Sequence, residues 1–369
     1  MTFKYRWSKV FLLGMMALAA GSAQAQGAAK RALPADWPQL VERANKEGKL
    51  ILFGQPNVNY RNKMIAGFNK QYPRIRVEYR AASRSGELTS KIAAEKRAGV
   101  HEVDLVLWGA DAIYSDLLRD GYVTPIKDLL VLPDFSDSSK WINGKLEYSD
   151  KEEKYALPYA QFAGKTFIVN KQLVDVSRVK SHEDLLDPKF AGKIVVTSPK
   201  DAGQARYAFG FLYSYFGEDF FKRFAAQKPV LVKETKQLIE WVAHGKYAMG
   251  ISPGNADAYQ EMVDAGIPVT GMGSTELKEG GYYSPGFNNI ASVKDAPHPN
   301  AAKLFANWLF TKEGQEVVID ALVSGKSVRT DVGVPMTFEK DKKYYAPHLE
   351  KNQPTQQKGI DMFTKYIQQ

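Results

Sequence analysis

The chain has 369 residues, 44% hydrophobic and 25% charged, with 29 Gly, 18 Pro and no Cys. That composition excludes a disordered, collagenous or coiled-coil chain, and the length requires more than one globular unit. Without cysteine there is no disulfide scaffold, no cysteine-ligated zinc or iron–sulfur centre and no cysteine nucleophile.

The formal charge is +9, and Lys4, Arg6 and Lys9 supply three of its cations, leaving +6 for the rest. Lys and Glu are interspersed, as in Lys151-Glu152-Glu153-Lys154, rather than gathered with aromatics into a nucleic-acid-binding face. The modest positive field favours an anionic ligand. The three early cations precede an apolar stretch from Val10 to Ala20 that ends in Ala23-Gln24-Ala25, the pattern of a cleavable signal peptide over residues 1–25. That stretch of about 11 residues is short of the ~20 that a spanning helix needs. No cysteine follows it for a lipid anchor, so the expected location is the periplasm.

Lys49-Leu50-Ile51-Leu52-Phe53 reads as a buried strand running into the polar loop Gln55-Pro56-Asn57. Tyr60, Met64, Phe68 and Tyr72 recur every fourth residue up to Pro73 and predict a helix. A half-buried strand follows at Arg74 to Arg80, then a helix from Ser85-Gly86 to Gly99, a buried strand at Asp104 to Trp108 and a further helix from Gly109. Strand, helix, strand, helix, strand, helix predicts a parallel, doubly wound α/β layer. Ligands bind such sheets beyond the carboxyl ends of the strands, which points to Gln55 to Asn57, Ser83 to Gly86 and Trp108 to Asp111. A second alternating set follows: strands at Gly164 to Asn170, Lys193 to Thr197, Pro229 to Val232 and Tyr247 to Ile251, with helices at Ala205 to Tyr215 and Lys236 to Ala243. Past Tyr283 come a strand at Asn289 to Val293 and a helix from Ala301.

Several stretches carry a resemblance: Asp104-Leu105-Val106-Leu107-Trp108, Tyr155-Ala156-Leu157-Pro158-Tyr159, Phe167-Ile168-Val169-Asn170-Lys171, Asp184 to Ile194 and the late helix Ala301 to Gly314. In this order, behind a signal peptide, they resemble the extracellular solute-binding proteins of ABC importers with the type 2 periplasmic binding fold, in the branch that contains the ferric-binding proteins. The resemblance implies an α/β chain of two lobes, each a mixed sheet flanked by helices, joined by two crossing hinge strands and closing on a ligand. It places lobe one at 26–165 plus 288–332, lobe two at 166–287, the crossings near Lys165 to Asn170 and Tyr282 to Asn288, and leaves the tail 333–369 unassigned. It also implies partners: a small solute, and permease and ATPase subunits in the inner membrane. The receptor itself is expected to be monomeric, without cofactor and without enzyme activity.

Ferric-binding members use a His or acidic residue after the first strand, a Glu after the third and a Tyr pair in a lobe-two loop. Here those places hold Gln55-Pro56-Asn57, Trp108-Gly109-Ala110 and Ser252-Pro253-Gly254-Asn255-Ala256, too few anionic oxygens for a hard trivalent ion. No metal site is expected, and iron is the runner-up ligand. The same loops suit a phosphonate, phosphate ester or carboxylate. Arg84, Ser85 and Gly86 start a helix where charge and free N–H groups converge. Gln55 and Asn57 offer polar contacts, Trp108 and Tyr159 an aromatic surface, and Gln204, Ser252 and Asn255 contacts from the second lobe. Asp201-Ala202-Gly203-Gln204 and Arg206 stand opposite as a second anion-binding start. Gly250-Ile251-Ser252-Pro253-Gly254 also matches a nucleophile elbow, which makes an exported serine hydrolase with Ser252 as nucleophile the alternative of a different class, but Pro253 lacks the N–H that such an elbow gives to the oxyanion.

Overall fold

The computed structural model describes residues 33–200, 203–254, 258–322 and 324–368; the expected signal peptide, Asp201, Ala202 and Asn255 lie outside the described residues.

The apolar runs of the first third form strands because both faces of their sheet are covered. Its strands are β1 (Lys49–Gly54), β2 (Arg76–Ala81), β3 (Leu105–Trp108), β4 (Val123–Thr124), β5 (Leu157–Pro158) and β13 (Asn289–Val293), in the order β2-β1-β3-β13-β4 with β5 also on β13. Leu50, Leu52, Leu105, Leu107 and Ile290 enter one core, whereas Phe53, Val106, Trp108, Ala291 and Val293 enter another, the period-2 alternation of a strand buried on both sides. β1, β2 and β3 are parallel, as expected, but β13 runs antiparallel to β3 and to β4 and β5. The sheet is therefore mixed. Helices α1 (Trp37–Glu47), α2 (Val58–Gln71), α3 (Ser85–Arg97), α8 (Pro299–Leu309) and α9 (Lys312–Ala321) pack around it. The helix after β3 is a single turn, α4 (Ala110–Ala112), that widens into a π-turn at Ile113–Leu118. The late helix divides, because Thr311 turns its hydroxyl to the Gly314 N–H and caps α9.

The second sheet has the order β11-β7-β10-β8-β9. Its strands are β7 (Lys165–Asn170), β8 (Ile194–Thr197), β9 (Val230–Val232), β10 (Met249–Ile251) and β11 (Val269–Gly273). β8, β9 and β10 are parallel, and β7 is antiparallel to β10 and β11. α5 (Gly203–Ala225, broken at Gly217 where φ is +68°), α6 (Thr235–Ala243) and α7 (Gln260–Asp264) complete this half.

Between the two sheets lies a third, β14-β6-β12-β15, built from β6 (Ala160–Ala163), β12 (Gly280–Ser284), β14 (Lys326–Ser327) and β15 (Lys343–Tyr345). The chain leaves the first sheet through β6 and returns through β12. The outward crossing therefore falls a few residues earlier than expected, since Lys165 to Asn170 is β7, flanked by β10 and β11 within the second sheet.

The tail has a definite place. β15 pairs with β12, and α10 (Gln353–Tyr366) lies along α5 with Phe363 4.7 Å from Phe209, ring to ring. The tail also reaches the first half, where the Lys151 N–H donates to Glu350 at 2.8 Å and Gln353 Nε2 donates to Ser115 Oγ at 3.1 Å. α10 and α5 approach closely enough that a Cβ on Gly359 would lie 2.6 Å from the Phe209 carbonyl oxygen. Gly359→Ala should thus force two backbones apart at a cost of about 1–3 kcal/mol. Thermal melting together with faster proteolysis of the tail checks this; an unchanged melt with an intact tail contradicts it.

Candidate functional site

Register brings the strand ends together. Trp108 at the carboxyl end of β3 pairs with Asn289 at the start of β13, just after the return crossing. Ile251 at the carboxyl end of β10 pairs with Phe167 near the start of β7, just after the outward crossing. Both sheets therefore direct their carboxyl-end loops toward the connecting strands.

On the first sheet, the loop after β1 is held by Tyr79, whose hydroxyl donates to the Gln55 carbonyl at 3.0 Å. Gly54 is required there, since its Cβ would fall 2.2 Å from that hydroxyl. Gln55 is half-buried, and the exposed Asn57 accepts from the Tyr60 N–H at 2.9 Å as the cap of α2. Arg84, Ser85 and Gly86 are all exposed at the start of α3, and the space beside Gly86 is open. The Arg84 side chain makes no capping bond. Trp108 is only 1% exposed; its Nε1 donates to Ser85 Oγ at 2.9 Å, and its ring packs 4.9 Å from the exposed Phe287. Trp108 thus orients Ser85, and Phe287 supplies the accessible aromatic surface. Tyr159 does not reach that surface. It is fully buried in the first core, where its hydroxyl meets that of Tyr60 at 2.6 Å, and its ring is committed to packing.

The second sheet presents Ser252, the residue after β10. Its backbone lies at φ +68°, a left-handed conformation that costs a non-glycine residue about 1–2 kcal/mol. Two neighbouring strands hold it there: its N–H donates to the Thr166 carbonyl at 2.8 Å, and Thr197 Oγ1 donates to its carbonyl at 3.2 Å. The side chain is fully buried, yet its Oγ has no hydrogen-bond partner among the described residues. No imidazole or carboxylate among them stands within reach as a base for a nucleophilic serine. A strained residue with an unanswered hydroxyl is a strain reservoir of the kind found at ligand sites.

Gln204 is half-buried in the first turn of α5. Beside it, Arg206 donates through Nε to the Pro199 carbonyl at 3.1 Å. It shares a cavity of about 360 Å³ with Asp111, just past β3, and with Gln353 and Glu350 of the tail. Burial pushes the Asp111 carboxyl above its ordinary range, while the Tyr114 hydroxyl, 2.5 Å away, and the Arg206 charge oppose the rise. Asp111 and Arg206 are thus strand-end groups from the two halves that sense each other. The sequence pattern sets both at ligand-facing helix starts, but nothing in it signals the tail beside them.

Ser252→Gly should relax the backbone and remove the buried hydroxyl, stabilising the unliganded protein by about 1 kcal/mol. A lowered melting temperature would show that the hydroxyl has an internal role.

The sequence model of the bacterial extracellular solute-binding protein family matches residues 63–344. No curated protein matches the chain. Among solved structures, the periplasmic binding protein AfuA from Actinobacillus pleuropneumoniae, with fructose-6-phosphate bound, is 22% identical over 87% of this chain and 99% of its own, with a TM-score of 0.59. The Trichodesmium protein IdiA (FutA), in complex with iron and citrate, is 16% identical over 86% and 99%, with a TM-score of 0.66. Ferric iron-binding protein A of Mannheimia haemolytica, in an open conformation, is 14% identical over 86% and 98%, with a TM-score of 0.65. These likenesses establish the two-lobe periplasmic binding fold, and the family match spans most of the chain: the protein belongs to the bacterial extracellular solute-binding proteins.

Proposed function

We propose that the protein is the periplasmic receptor of an ABC importer, that it captures a small anionic organic solute, a phosphate ester, phosphonate or carboxylate, between two lobes, and that it hands this solute to the membrane permease. The lobes of this reading are 26–165 plus 288–332 and 166–287, with the crossings at β6 and β12. The observation that carries it is Ser252, a strained, buried hydroxyl without a partner at a strand end that faces the connecting strands. A ligand oxygen accepting from that hydroxyl removes its desolvation cost, and ligand contacts to both halves stabilise the closed state by differential affinity. Arg84 with Ser85 and Gly86 from one side, and Gln204, Arg206 and Asn255 from the other, are the polar groups for the acid end. Phe287 over Trp108, with Gln55 and Asn57 nearby, borders the ligand body.

The test is a thermal-shift screen of the purified protein against sugar phosphates, phosphonates, carboxylates and ferric citrate. A ligand at 100 times its Kd adds ~2.7 kcal/mol to stability, which such a screen reads easily. Arg84→Ala should weaken the strongest hit by more than about 1.5 kcal/mol, and Ser252→Gly should weaken it while raising the unliganded melting temperature. A hit confined to ferric citrate, with a tyrosinate absorption band, would replace the organic anion by iron. Turnover of a hit by the protein would end the receptor reading.

A further inference from the structure

A larger cavity, about 580 Å³, opens at the other end of the second sheet. Lys193 precedes β8, Ala248 precedes β10, and Leu173 and Val174 follow β7. Since β7 is antiparallel to β10, all of these lie at the sheet edge remote from Ser252. The cavity therefore plays no part in the reading above.

Its floor is apolar. Val174, Val179 and Phe190 are buried beneath it, and Leu173 stands 52% exposed at its edge. Its rim carries four cations and three aspartates, and the two signs are employed differently. Each aspartate is turned to its own backbone: Asp175 accepts from the Ser177 N–H at 3.1 Å and its hydroxyl at 2.6 Å. Asp184 accepts from the Lys180 and Ser181 N–H groups at 2.8 and 2.9 Å. Asp187 accepts from the Lys189 N–H at 3.0 Å and pairs with its ammonium at 2.7 Å. Of the cations, Lys189 is held by that pair, and the Lys246 ammonium sits 3.6 Å above the Trp241 ring. Arg178 and Lys193, both exposed, have no side-chain hydrogen bond or ion pair among the described residues; Arg178 acts on Asp175 and Asp187 only through space. An apolar trough with two uncommitted cations at its mouth complements one kind of molecule, an apolar chain or ring that ends in an acid group.

We propose that this cavity is a second ligand site, for an amphiphilic carboxylate whose apolar body lies on Leu173, Val174, Val179 and Phe190 and whose acid group meets Arg178 and Lys193. Only the charge sign separates this ligand from a cationic amphiphile, so the test compares the two. Titration calorimetry of the full-length mature protein with sodium decanoate, below its micelle concentration, should show one equivalent bound. Decyltrimethylammonium should show none. Arg178→Ala and Lys193→Ala should each weaken decanoate binding about tenfold, the loss of one charge-assisted hydrogen bond, and Ser252→Gly should leave it unchanged. Because the Lys246 ammonium rests on Trp241 at the cavity edge, decanoate should also change the tryptophan fluorescence, and Trp241→Phe should remove that change while leaving the heat of binding. Arg178 and Lys193 are exposed, so their variants are expected to melt like the parent. Absence of decanoate binding, equal binding of the cationic chain, or binding that survives both cation variants and is lost in Ser252→Gly would overturn the proposal. Of these results only a loss in Ser252→Gly bears on the strand-end site, because it would place decanoate there; the others leave the reading of that site as it stands.

Discussion

Arg329→Ala should cost the protein about 3 kcal/mol of unfolding free energy, at the lower end of what breaking a buried ion pair costs. The side chain is 1% exposed, and almost its whole donor set is in use. Nε and Nη2 fork onto the two carboxylate oxygens of Asp331 at 2.7 and 2.9 Å. Nη1 donates to Asp134 at 2.8 Å and to the Phe310 carbonyl at 3.0 Å, while the guanidinium lies 5.4 Å from the Trp141 ring. The Arg329 hydrogen bond holds the Asp331 carboxyl down at about 2, below the ordinary aspartate range. One group thereby ties the segment after β14 to the loop at Asp134 and to the end of α8. Alanine leaves a buried carbonyl without its donor and two carboxylates close together. Asp331→Asn retains an acceptor and should lose about 1 kcal/mol. Chemical denaturation of both variants decides the matter. A loss in Arg329→Ala no larger than that in Asp331→Asn would mean that water replaces the guanidinium.

Arg329 also shows where sequence reading stops. The alternation from Leu50 to Trp108 and from Ile194 to Ile251 was legible, because β1, β3, β8 and β10 are apolar runs bounded by turn residues, as buried parallel strands require, and β2 alternates apolar with charged residues as a half-buried strand does. The connecting sheet was not. β6, β14 and β15 span two to four residues each, too short for a period, and their pairing is set by distant partners: Gln161 with Lys326, Gly281 with Tyr344. The sequence pattern therefore points to the longer and more apolar β7 for the outward crossing. The late stretch reads as one helix because Ala301 to Gly314 has no proline or glycine break before Thr311, and a threonine signals a cap only if its hydroxyl turns back on the chain.

For the site, the sequence located the loops but not the condition of the side chains within them. Strand-end position follows from the βαβ pattern: Gln55 and Ser252 follow β1 and β10 directly, and Ser85 opens α3 after β2. What distinguishes Ser252 is a backbone angle imposed by Thr166 and Thr197, residues of two other strands, and no local signal encodes it. Tyr159 and Trp108 illustrate the converse. Both are large aromatics at strand ends, and whether such a ring faces solvent or core depends on what the opposite element presents: Tyr60 for the first, Ser85 and Phe287 for the second.

Acidification from pH 7.5 to 5 should remove about 2 kcal/mol of stability through one buried side chain, His348. It is fully buried against Tyr283 of β12, 5.6 Å between rings, and neither ring nitrogen has a hydrogen-bond partner among the described residues. Burial disfavours the imidazolium and pushes the group down to about 3, against an upward pull from the Tyr283 backbone. Since the folded value lies below the ordinary 6.5, the unfolded chain takes up the proton first as pH falls. The contribution is complete above about 6.5 and declines continuously toward 3, by ~1.4 kcal/mol per unit. His182, also fully buried, moves in the same direction, so the wild-type slope should exceed that of one group. Its partner Glu279 is different: burial would raise its carboxyl, but bonds from His182 and Ser181 hold it at about 2, so its contribution is present above the ordinary carboxylate range and is lost only in stronger acid. The discriminating measurement is a double difference. His348→Phe keeps a flat ring against Tyr283 and cannot titrate; whatever overpacking costs it at pH 7.5, its stability relative to wild type should improve by about 2 kcal/mol on going to pH 5. A pH-independent difference between the two proteins would mean that His348 is protonated or solvated in the folded state, and that the tail does not seal it against β12.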